Sequence, residues 1–399
     1  MKSSLGCTLG ALLIMTACHA PSVHSAAASS VETGAPNTHY QPAFAGQTRV
    51  ASVHTRTPYQ TKLLAHDLGR PWGMVALPDG QWLITEKSGF LWLLSANGQT
   101  RQRIRGLPRV DARGQGGLLD VVLDPQFDQN QVIYWTFSEP VGKGNLTAVG
   151  KGVLNLNEGI VTQARVIFRA APAYDGDKHY GSRLAFGPDG YLYVSTGERS
   201  DKKMRALAQQ GNNDLGKILR LTKEGHAAPD NPLAKRGFKP EIYAYGLRNP
   251  QGLAFDEQGQ LWSSEHGPRG GDEINRIVAA QNYGWGDVSY GIEYLGTKVG
   301  QGITRKQGTE QPVYYWDPVI SPSGMVFYSG SLKEWQGNLF VAALSGQHIV
   351  RLVLDNGKVV GEERLLVDKR ERFRDVANGV DGALYAITDS GKLYRIATQ

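Results

Sequence analysis

Six polar side chains stand at equivalent places in a repeating pattern, at or just before the start of an apolar strand. They are Gln115, His179, Arg248, Asn249, Arg372 and Arg374. Arginine guanidinium groups are planar donors that bind carboxylates through parallel hydrogen bonds, and histidine suits a base near neutral pH. Taken singly, such residues are usually solvated surface groups. Their shared position indicates instead that they form one site, suited to a planar polyanion and a hydroxylated substrate.

A loop rich in glycine and proline follows Arg248 and offers a different chemistry. Gly267 and Pro268 present main-chain carbonyl oxygens, and Glu273 adds a carboxylate a few residues later. Oxygen ligands of this kind suit Ca²⁺. Loops of this composition are also ordinary turns, so the spacing alone leaves a calcium site and a plain turn both open.

One hairpin pattern recurs from Leu64 onward: an apolar strand, a turn of the Pro-Asp-Gly kind and an aromatic-rich strand. The clearest copies are residues 72–84, 184–194, 253–262 and 376–387, and weaker ones are 119–135 and 325–341. An Asp-Gly pair between alternating apolar runs is a strong hairpin signal, because glycine accepts the positive φ of a tight turn. Recurrence at roughly 45 to 75 residues is typical of a radial repeat.

The repeat therefore predicts an all-β fold, a six-bladed β-propeller of four-stranded antiparallel blades over residues 58–399. A β-sandwich with many hairpins is the alternative, but it would not need the same hairpin along the whole domain. Loops from all blades of a propeller gather around a central channel. The polar residues near the strand starts should then converge on one mouth.

The N-terminus reads as an export signal over residues 1–25. Lys2 precedes an apolar run at 9–15, and small residues follow. Met15-Thr16-Ala17-Cys18 resembles a lipobox, which would leave a lipidated Cys18, whereas cleavage near 24–26 would release a soluble protein. Both readings place the protein in the periplasm, with a lipid anchor in the first.

The rest of the composition narrows the function classes. Residues 26–57 are rich in Ala, Ser, Pro and Thr and predict a disordered tether. The two cysteines, Cys7 and Cys18, both lie in the leader, so the mature domain has no internal disulfide. The net charge of +6 is spread along the chain without a basic block, which argues against nucleic-acid binding.

Six segments together resemble the soluble PQQ-dependent aldose sugar dehydrogenases of the glucose/sorbosone type, which are six-bladed propellers of the bacterial periplasm. The segments are KHYGSRL at 178–184, GLRNPQG at 246–252, EHGP at 265–268, DEIN at 272–275, NYGW at 282–285 and RFRD at 372–375. Their order, spacing and residue types agree over nearly the whole chain after Leu64.

The resemblance implies a role for each polar residue at the rim. His179 would be the base that takes the proton of the anomeric hydroxyl while hydride passes to PQQ, and Arg248 would lie near the reacting quinone oxygen. Cofactor contacts are implied for a further set: Gln115, Asn249, Tyr294, Arg372 and Arg374.

The resemblance also implies two calcium ions. The main-chain oxygens of Gly267 and Pro268 would bind the ion that holds PQQ and acts as a Lewis acid. Glu273 and Tyr283 would bind a second ion, as in the aldose dehydrogenase branch.

The chain departs from the family pattern at two places. Where the family often has a lysine for a PQQ carboxylate, this chain has Ser345 and Gln347, which offer only neutral hydrogen bonds. Lys178 precedes His179, where the glucose-specific branch has an acid, which favours a broader range of aldoses.

The leading hypothesis is therefore oxidation of aldose sugars at C1 to the lactone, with PQQ and Ca²⁺ as cofactors and a quinone or cytochrome as the unidentified electron acceptor. A calcium-dependent propeller lactonase or other hydrolase is one alternative, and it would want a carboxylate-rich central metal cage. A non-catalytic carbohydrate- or ligand-binding propeller is another, and it predicts an incomplete set of rim residues.

Overall fold

The computed structural model describes Met1 and residues 29–398 of the chain. Twenty-four strands form six separate four-stranded antiparallel sheets, which confirms the predicted six-bladed propeller. Apart from Met1, the predicted signal peptide and its lipobox lie outside the described residues.

The first three blades follow one another along the chain. Blade one contains β2 (Pro71–Ala76), β3 (Trp82–Glu86), β4 (Phe90–Leu94) and β5 (Arg101–Ile104). Blade two contains β6 (Leu118–Leu123), β7 (Val132–Val141), β8 (Gly144–Asn155) and β9 (Ile160–Arg169). Blade three contains β10 (Leu184–Phe186), β11 (Leu192–Thr196), β12 (Lys217–Leu221) and β13 (Ile242–Tyr245).

The last three blades complete the ring. Blade four contains β14 (Pro250–Phe255), β15 (Leu261–Glu265), β16 (Asp272–Ile277) and β17 (Tyr314–Trp316). Blade five contains β18 (Pro322–Phe327), β19 (Leu339–Ala343), β20 (His348–Asp355) and β21 (Lys358–Leu365). Blade six joins β22 (Phe373–Asn378), β23 (Leu384–Thr388) and β24 (Leu393–Thr398) to β1 (Tyr59–Ala65), so the two ends of the domain close the ring in one sheet.

Within residues 29–398, helices are few and short. One α-helical turn, α1 (Phe127–Asn130), lies between β6 and β7, and four 3₁₀ turns occur at Arg205–Gln209, Pro232–Arg236, Lys333–Trp335 and Val367–Lys369. Among the described residues, none of these helices has the length and apolar character needed to cross a membrane.

The recurring hairpin turn has a physical cause in its aspartate. In five blades this carboxylate accepts the main-chain N–H two residues later, at 2.8–3.2 Å; the residues are Asp79, Asp124, Asp189, Asp256 and Asp381. In four of them the other oxygen accepts a ring donor of the next strand, from Tyr134, Tyr193, Trp262 or Tyr385. The side chain thus fixes both the turn and the strand that follows it.

The structure of the segment before the propeller shows that the prediction of a disordered tether is wrong for residues 29–57. Residues 29–57 were expected to belong to a disordered tether, but they lie along the outer edges of blades four and five. The Thr38 hydroxyl donates to Asp317 at 2.9 Å, Gln47 is buried and donates to the Pro312 carbonyl at 2.9 Å, and Thr55 donates to Glu363 at 2.7 Å. Single polar anchors of this kind leave no periodic pattern in the sequence.

A buried ion cluster closes the centre of the ring. Arg183, just before β10, donates from Nη1 to Asp120 of β6 at 3.0 Å and to Asp375 of β22 at 2.9 Å. Its guanidinium carbon lies 4.3 Å from the ring centroid of Trp72 of β2. Gly324 of β18 lies so close to Asp375 that a Cβ would clash with it. The innermost strands are therefore tied together by charge and close backbone approach.

Candidate functional site

A cavity of about 430 Å³ opens at the centre of the ring, and residues from all six blades line it. Six of the residues singled out in the sequence lie in its wall: Gln115, His179, Arg248, Tyr294, Arg372 and Arg374. Four of them lie one to five residues before an innermost strand and Arg374 is the second residue of β22, so the equivalent positions of distant repeats do converge. Trp72 also lines the cavity, which places the Arg183 cluster directly beneath it.

His179 is held by contacts on both its main chain and its ring. Its backbone adopts a positive φ of 51°, and its N–H donates to the side-chain oxygen of Gln115 at 2.8 Å. The ring nitrogen Nδ1 lies 2.5 Å from Oε1 of Glu198, so Nδ1–H donates to the carboxylate in the neutral ring. No group of the described residues bonds Nε2, which leaves that nitrogen for a ligand in the cavity.

The electrostatic surroundings keep His179 in its basic form. Burial, with the Arg248 charge second, lowers the pKa of His179 to about 4, and Glu198 opposes the shift. Burial works against the charge on Glu198, but the hydrogen bond from His179 holds the pKa of that carboxyl below its usual value. At neutral pH the site therefore contains a free imidazole beside a carboxylate.

Glu198 was missed in the sequence. It lies two residues beyond the end of β11, and its side chain is almost fully buried. The available signal was an acid just after the second strand of the blade that carries the histidine.

Arg248 and Asn249 occupy different layers of the wall. The guanidinium of Arg248 donates to the main-chain oxygen of His266 at 3.1 Å and to the Tyr294 hydroxyl at 3.3 Å, while its buried Nε has no partner among the described residues. Asn249 lies behind the cavity lining, where its side-chain oxygen accepts the N–H of Gly181 at 3.0 Å. In this structure Asn249 supports the wall and does not line it.

The cavity is rich in positive charge. Arg372 and Arg374 donate to Asp389 at 2.9 and 2.8 Å, and Asp389 is the one carboxylate of the lining in the part of the chain that is described. Arg70 and Lys87 of blade one add two cations that the sequence reasoning did not select.

The two residues of the fifth blade contribute little to this wall. Ser345 Oγ lies 2.8 Å from Ser321 Oγ, and of the two only Ser321 lines the cavity. Gln347 is exposed, has a positive φ of 57° and lies outside the lining.

The Gly267–Pro268 loop is fixed at the edge of the cavity. The N–H of Gly267 donates to Asp272 Oδ1 at 2.7 Å, and Asp272 Oδ2 accepts the N–H of Ile320 and of Ser321 at 2.8 and 2.7 Å. No hydrogen bond among residues 29–398 engages the carbonyl oxygens of Gly267 or Pro268. Two main-chain oxygens in a rigid loop are acceptable ligands for a hard cation.

His266, which directly precedes Gly267, lines the cavity. Its Nε2 is buried and has no partner within residues 29–398. Burial, followed by the charge of Arg248, lowers the pKa of His266 well below its usual value. The loop that offers the two carbonyls therefore directly adjoins the central cavity.

Glu273 faces a second carboxylate across the sheet. Glu265 is its direct neighbour in the β15–β16 pairing. Glu265 is buried and Glu273 is half-buried, and this burial raises the pKa of Glu273 to about 7 and that of Glu265 well above its usual value. In the part of the chain that the structure describes, Glu265 Oε2 has no partner, and neither has Oδ1 of Asn275, whose amide donates to Glu273. Unpaired buried oxygens beside two acids fit a divalent cation.

The structure does not bring the Tyr283 hydroxyl to Glu273. That hydroxyl accepts the N–H of Val278 at 2.8 Å and donates to the carbonyl of Arg276 at 2.5 Å, three residues further along β16. At the rise of a strand this is about 10 Å from Glu273. Only the main-chain oxygen of Tyr283 remains for a ligand role, and the described hydrogen bonds do not use it.

Comparison with known proteins agrees with this architecture. A family model described as Glucose / Sorbosone dehydrogenase matches residues 68–395. The Aldose sugar dehydrogenase YliI of Escherichia coli (strain K12) is 41% identical over 344 residues, which cover 84% of this chain and 92% of that protein.

Two solved structures are similar over most of their length. The apo form of the soluble aldose sugar dehydrogenase from Escherichia coli has a TM-score of 0.81 and 40% identity, over 86% of this chain and 100% of that one. The PQQ-bound aldose sugar dehydrogenase from Streptomyces coelicolor has a TM-score of 0.72 and 27% identity, over 86% of this chain and 98% of that one. The chain therefore belongs to the glucose/sorbosone dehydrogenase family of oxidoreductases.

Proposed function

We propose that this aldose sugar dehydrogenase oxidises aldoses at C1 to the lactone, with PQQ and Ca²⁺ as cofactors. The observation that carries the proposal is the meeting of a free-base histidine with five cations in one cavity of about 430 Å³. The cavity is large enough for a planar cofactor and a sugar ring together. The PQQ-bound relative from Streptomyces coelicolor supports the choice of cofactor.

Each residue of the site would have its own role in the proposed reaction. Nε2 of His179 would accept the proton of the C1 hydroxyl, and Glu198 would stabilise the imidazolium that forms. Arg372 and Arg374 would bind carboxylates of the cofactor, and Arg248 would place its unpaired Nε beside the reacting oxygen. When bound, PQQ supplies the two-electron acceptor for the hydrogen that leaves C1.

The cation sites are part of the same proposal. The carbonyl oxygens of Gly267 and Pro268 would hold one Ca²⁺ at the cavity edge, where the ion neutralises cofactor charge. Glu273, with the main-chain oxygen of Tyr283, would hold a second ion between blades three and four. The unpartnered oxygens of Glu265 and Asn275 favour a cation there.

The two alternatives fit the cavity less well. A metal-dependent lactonase needs several carboxylates around its ion, and no group of three acidic, histidine or cysteine side chains in the described residues could hold a metal. A binding-only propeller would not need His179 buried against Glu198 with Nε2 left open.

Reconstitution tests the proposal. We expect the purified apoprotein to bind PQQ in the presence of Ca²⁺, to show the spectral change of the bound quinone, and to reduce an artificial acceptor with several aldoses. Absence of both the spectral change and the activity contradicts the proposal. Export through residues 1–25, periplasmic location, the lipid anchor at Cys18 and the natural electron acceptor stay predictions.

A further inference from the structure

The cavity wall between blades six and one carries positive side chains that were not among the predicted site residues. Arg70 and Lys87 of blade one stand beside Arg372 and Arg374 of blade six, and we call these four residues the cationic wall. Arg372 and Arg374 share Asp389 through three hydrogen bonds of 2.8–3.1 Å. The blade-six half of the wall is thus partly neutralised, whereas neither blade-one cation forms an ion pair in the described residues.

The backbone of Lys87 is rigidly placed. Its N–H donates to the Arg70 carbonyl at 3.2 Å, and its own carbonyl accepts the N–H of Leu118 at 3.1 Å. Gly117 lies so close to this carbonyl that a Cβ there would clash with it. Blades one and two therefore hold Lys87 in place from both sides.

The ammonium of Lys87 is only partly satisfied by the protein. Nζ donates to the carbonyl of Gly114 at 2.6 Å, and the described residues offer it no further acceptor. A lysine ammonium has three donors, so two remain for a ligand in the cavity.

Two cations and two anions surround Lys87. It faces Arg70 and Glu86 of its own blade and Arg374 and Asp389 of blade six. Burial, with the charge of Arg70 second, lowers the pKa of Lys87 to about 8. A partly buried ammonium without a carboxylate partner gains most when an anion binds beside it.

We propose that Lys87, assisted by Arg70, binds a carboxylate of the cofactor and is the main cation of blade one in cofactor binding. The inference rests on the proposed function and deepens it, because PQQ is a tricarboxylate and Asp389 already neutralises part of the charge of the two arginines of blade six. Ser345 of blade five is neutral and bonded to Ser321, so it cannot replace this charge.

Binding of PQQ to the apoprotein tests the proposal without relying on turnover. We would measure affinity by calorimetry at fixed Ca²⁺, with quenching of tryptophan fluorescence as a second readout, since Trp72 lines the cavity. Lys87→Met should weaken PQQ binding roughly 10- to 100-fold, the range for a lost charge-assisted hydrogen bond, and Lys87→Arg should largely restore it. Lys202→Met is the matched control, because Lys202 is exposed and lies outside the cavity lining.

Two further conditions identify the carboxylate. The trimethyl ester of PQQ should bind the wild type and Lys87→Met with the same affinity. Between pH 7 and 9, PQQ affinity should fall more in the wild type than in Lys87→Arg, because the arginine stays charged throughout.

The outcomes separate the two claims. If wild-type protein binds PQQ and Lys87→Met binds it as tightly as Lys202→Met does, the role of Lys87 is wrong and the proposed function stands. If wild-type protein does not bind PQQ, both are wrong. Thermal unfolding of each variant shows whether a loss of affinity comes from a loss of folding. If Lys87→Met does not fold, the comparison of wild type with Lys87→Arg between pH 7 and 9 decides whether Lys87 binds the cofactor.

Discussion

At the scale of single residues, the imidazole of His179 depends on its two charged neighbours. Burial, with the charge of Arg248 second, lowers the pKa of His179 and keeps it a free base, while Glu198 fixes Nδ1 as the protonated nitrogen and leaves Nε2 for the cavity. The opposing charges keep the ring neutral and oriented before substrate arrives.

Replacing Glu198 tests this arrangement. Glu198→Gln removes the negative charge that stabilises an imidazolium, so we expect kcat to fall roughly 10- to 100-fold. Because Glu198 also raises the pKa of His179, the acid limb of the kcat/KM profile should move to lower pH. Steady-state kinetics between pH 4 and 8 measure both effects. Glu293→Gln is the control, since that carboxylate near the cavity mouth pairs with Arg205, and an equal loss in both variants would contradict the role of Glu198.

The buried histidine also predicts how stability depends on pH. The pKa of His179 in the fold, about 4, lies below its ordinary value of 6.5. Its contribution to the free energy of unfolding is therefore fully present above pH 6.5 and is lost as pH falls toward 4, by up to about 3 kcal/mol. Urea unfolding of the apoprotein at pH 7 and pH 4.5 should show this loss, and His179→Gln should reduce it. A loss of the same size in the variant would assign the effect to other groups.

At the scale of elements, the pairing of β15 with β16 places two acids opposite each other. Apolar residues at these positions would pack at a lower cost in free energy. Both strands are otherwise ordinary members of blade four, and Leu261 and Ile277 pack against blade three. A half-buried carboxylate and a buried one repel each other when they are adjacent, so a cation bound beside them would lower the free energy of the folded state at this end of the sheet.

Calcium should therefore stabilise blade four. We expect Ca²⁺ at about 100 times its Kd to raise the free energy of unfolding of the apoprotein by about 2.7 kcal/mol, as mass action requires. Glu273→Gln should abolish most of this gain, and Glu265→Gln should reduce it. Thermal unfolding with and without Ca²⁺ is the measurement. Glu257→Gln, exposed at the other end of the same blade, should keep the full gain; a full gain in Glu273→Gln would place the ion elsewhere.

At the scale of the whole molecule, the propeller is held by its closing strand and by the charged centre of the ring. β1 pairs with β24 from Tyr59↔Thr398 to Ala65↔Leu393, which joins the two ends of the domain. Beneath the cavity, Arg183 links Asp120 and Asp375 of non-adjacent blades. The ion cluster that forms the floor of the cavity therefore also stabilises the fold.

Removal of that central cation should be costly. Arg183→Met leaves two buried carboxylates without their partner, and we expect a loss of about 3–5 kcal/mol in the free energy of unfolding. Burial already raises the pKa of Asp120 to about 6 and raises that of Asp375. With Arg183 gone both rise further, so the deficit should be smaller at pH 5, where the acids are protonated, than at pH 8. Urea unfolding at the two pH values measures it, and an equal deficit at both would contradict the account.

The sequence predicted those parts of the molecule that repeat. The Asp-Gly turns at Gly80 and Gly190 and the polar residues near the strand starts follow one local rule, which six copies make visible. Glu198 and Lys87 were not predictable in this way, because Glu198 acts through its contact with His179 and Lys87 is placed by contacts with Arg70 and Leu118. Thr38 and Gln47 anchor the N-terminal segment through single long-range hydrogen bonds, which composition cannot reveal.

The most direct test of the central claim is the rate at which an aldose reduces bound PQQ in a single turnover. Wild type and His179→Ala would be loaded with PQQ and Ca²⁺ to equal occupancy and mixed with sugar in a stopped-flow spectrometer. We predict cofactor affinity within about twofold of wild type and a reduction rate at least about 100-fold lower, the loss typical of a removed general base. An unchanged reduction rate in His179→Ala would contradict the account.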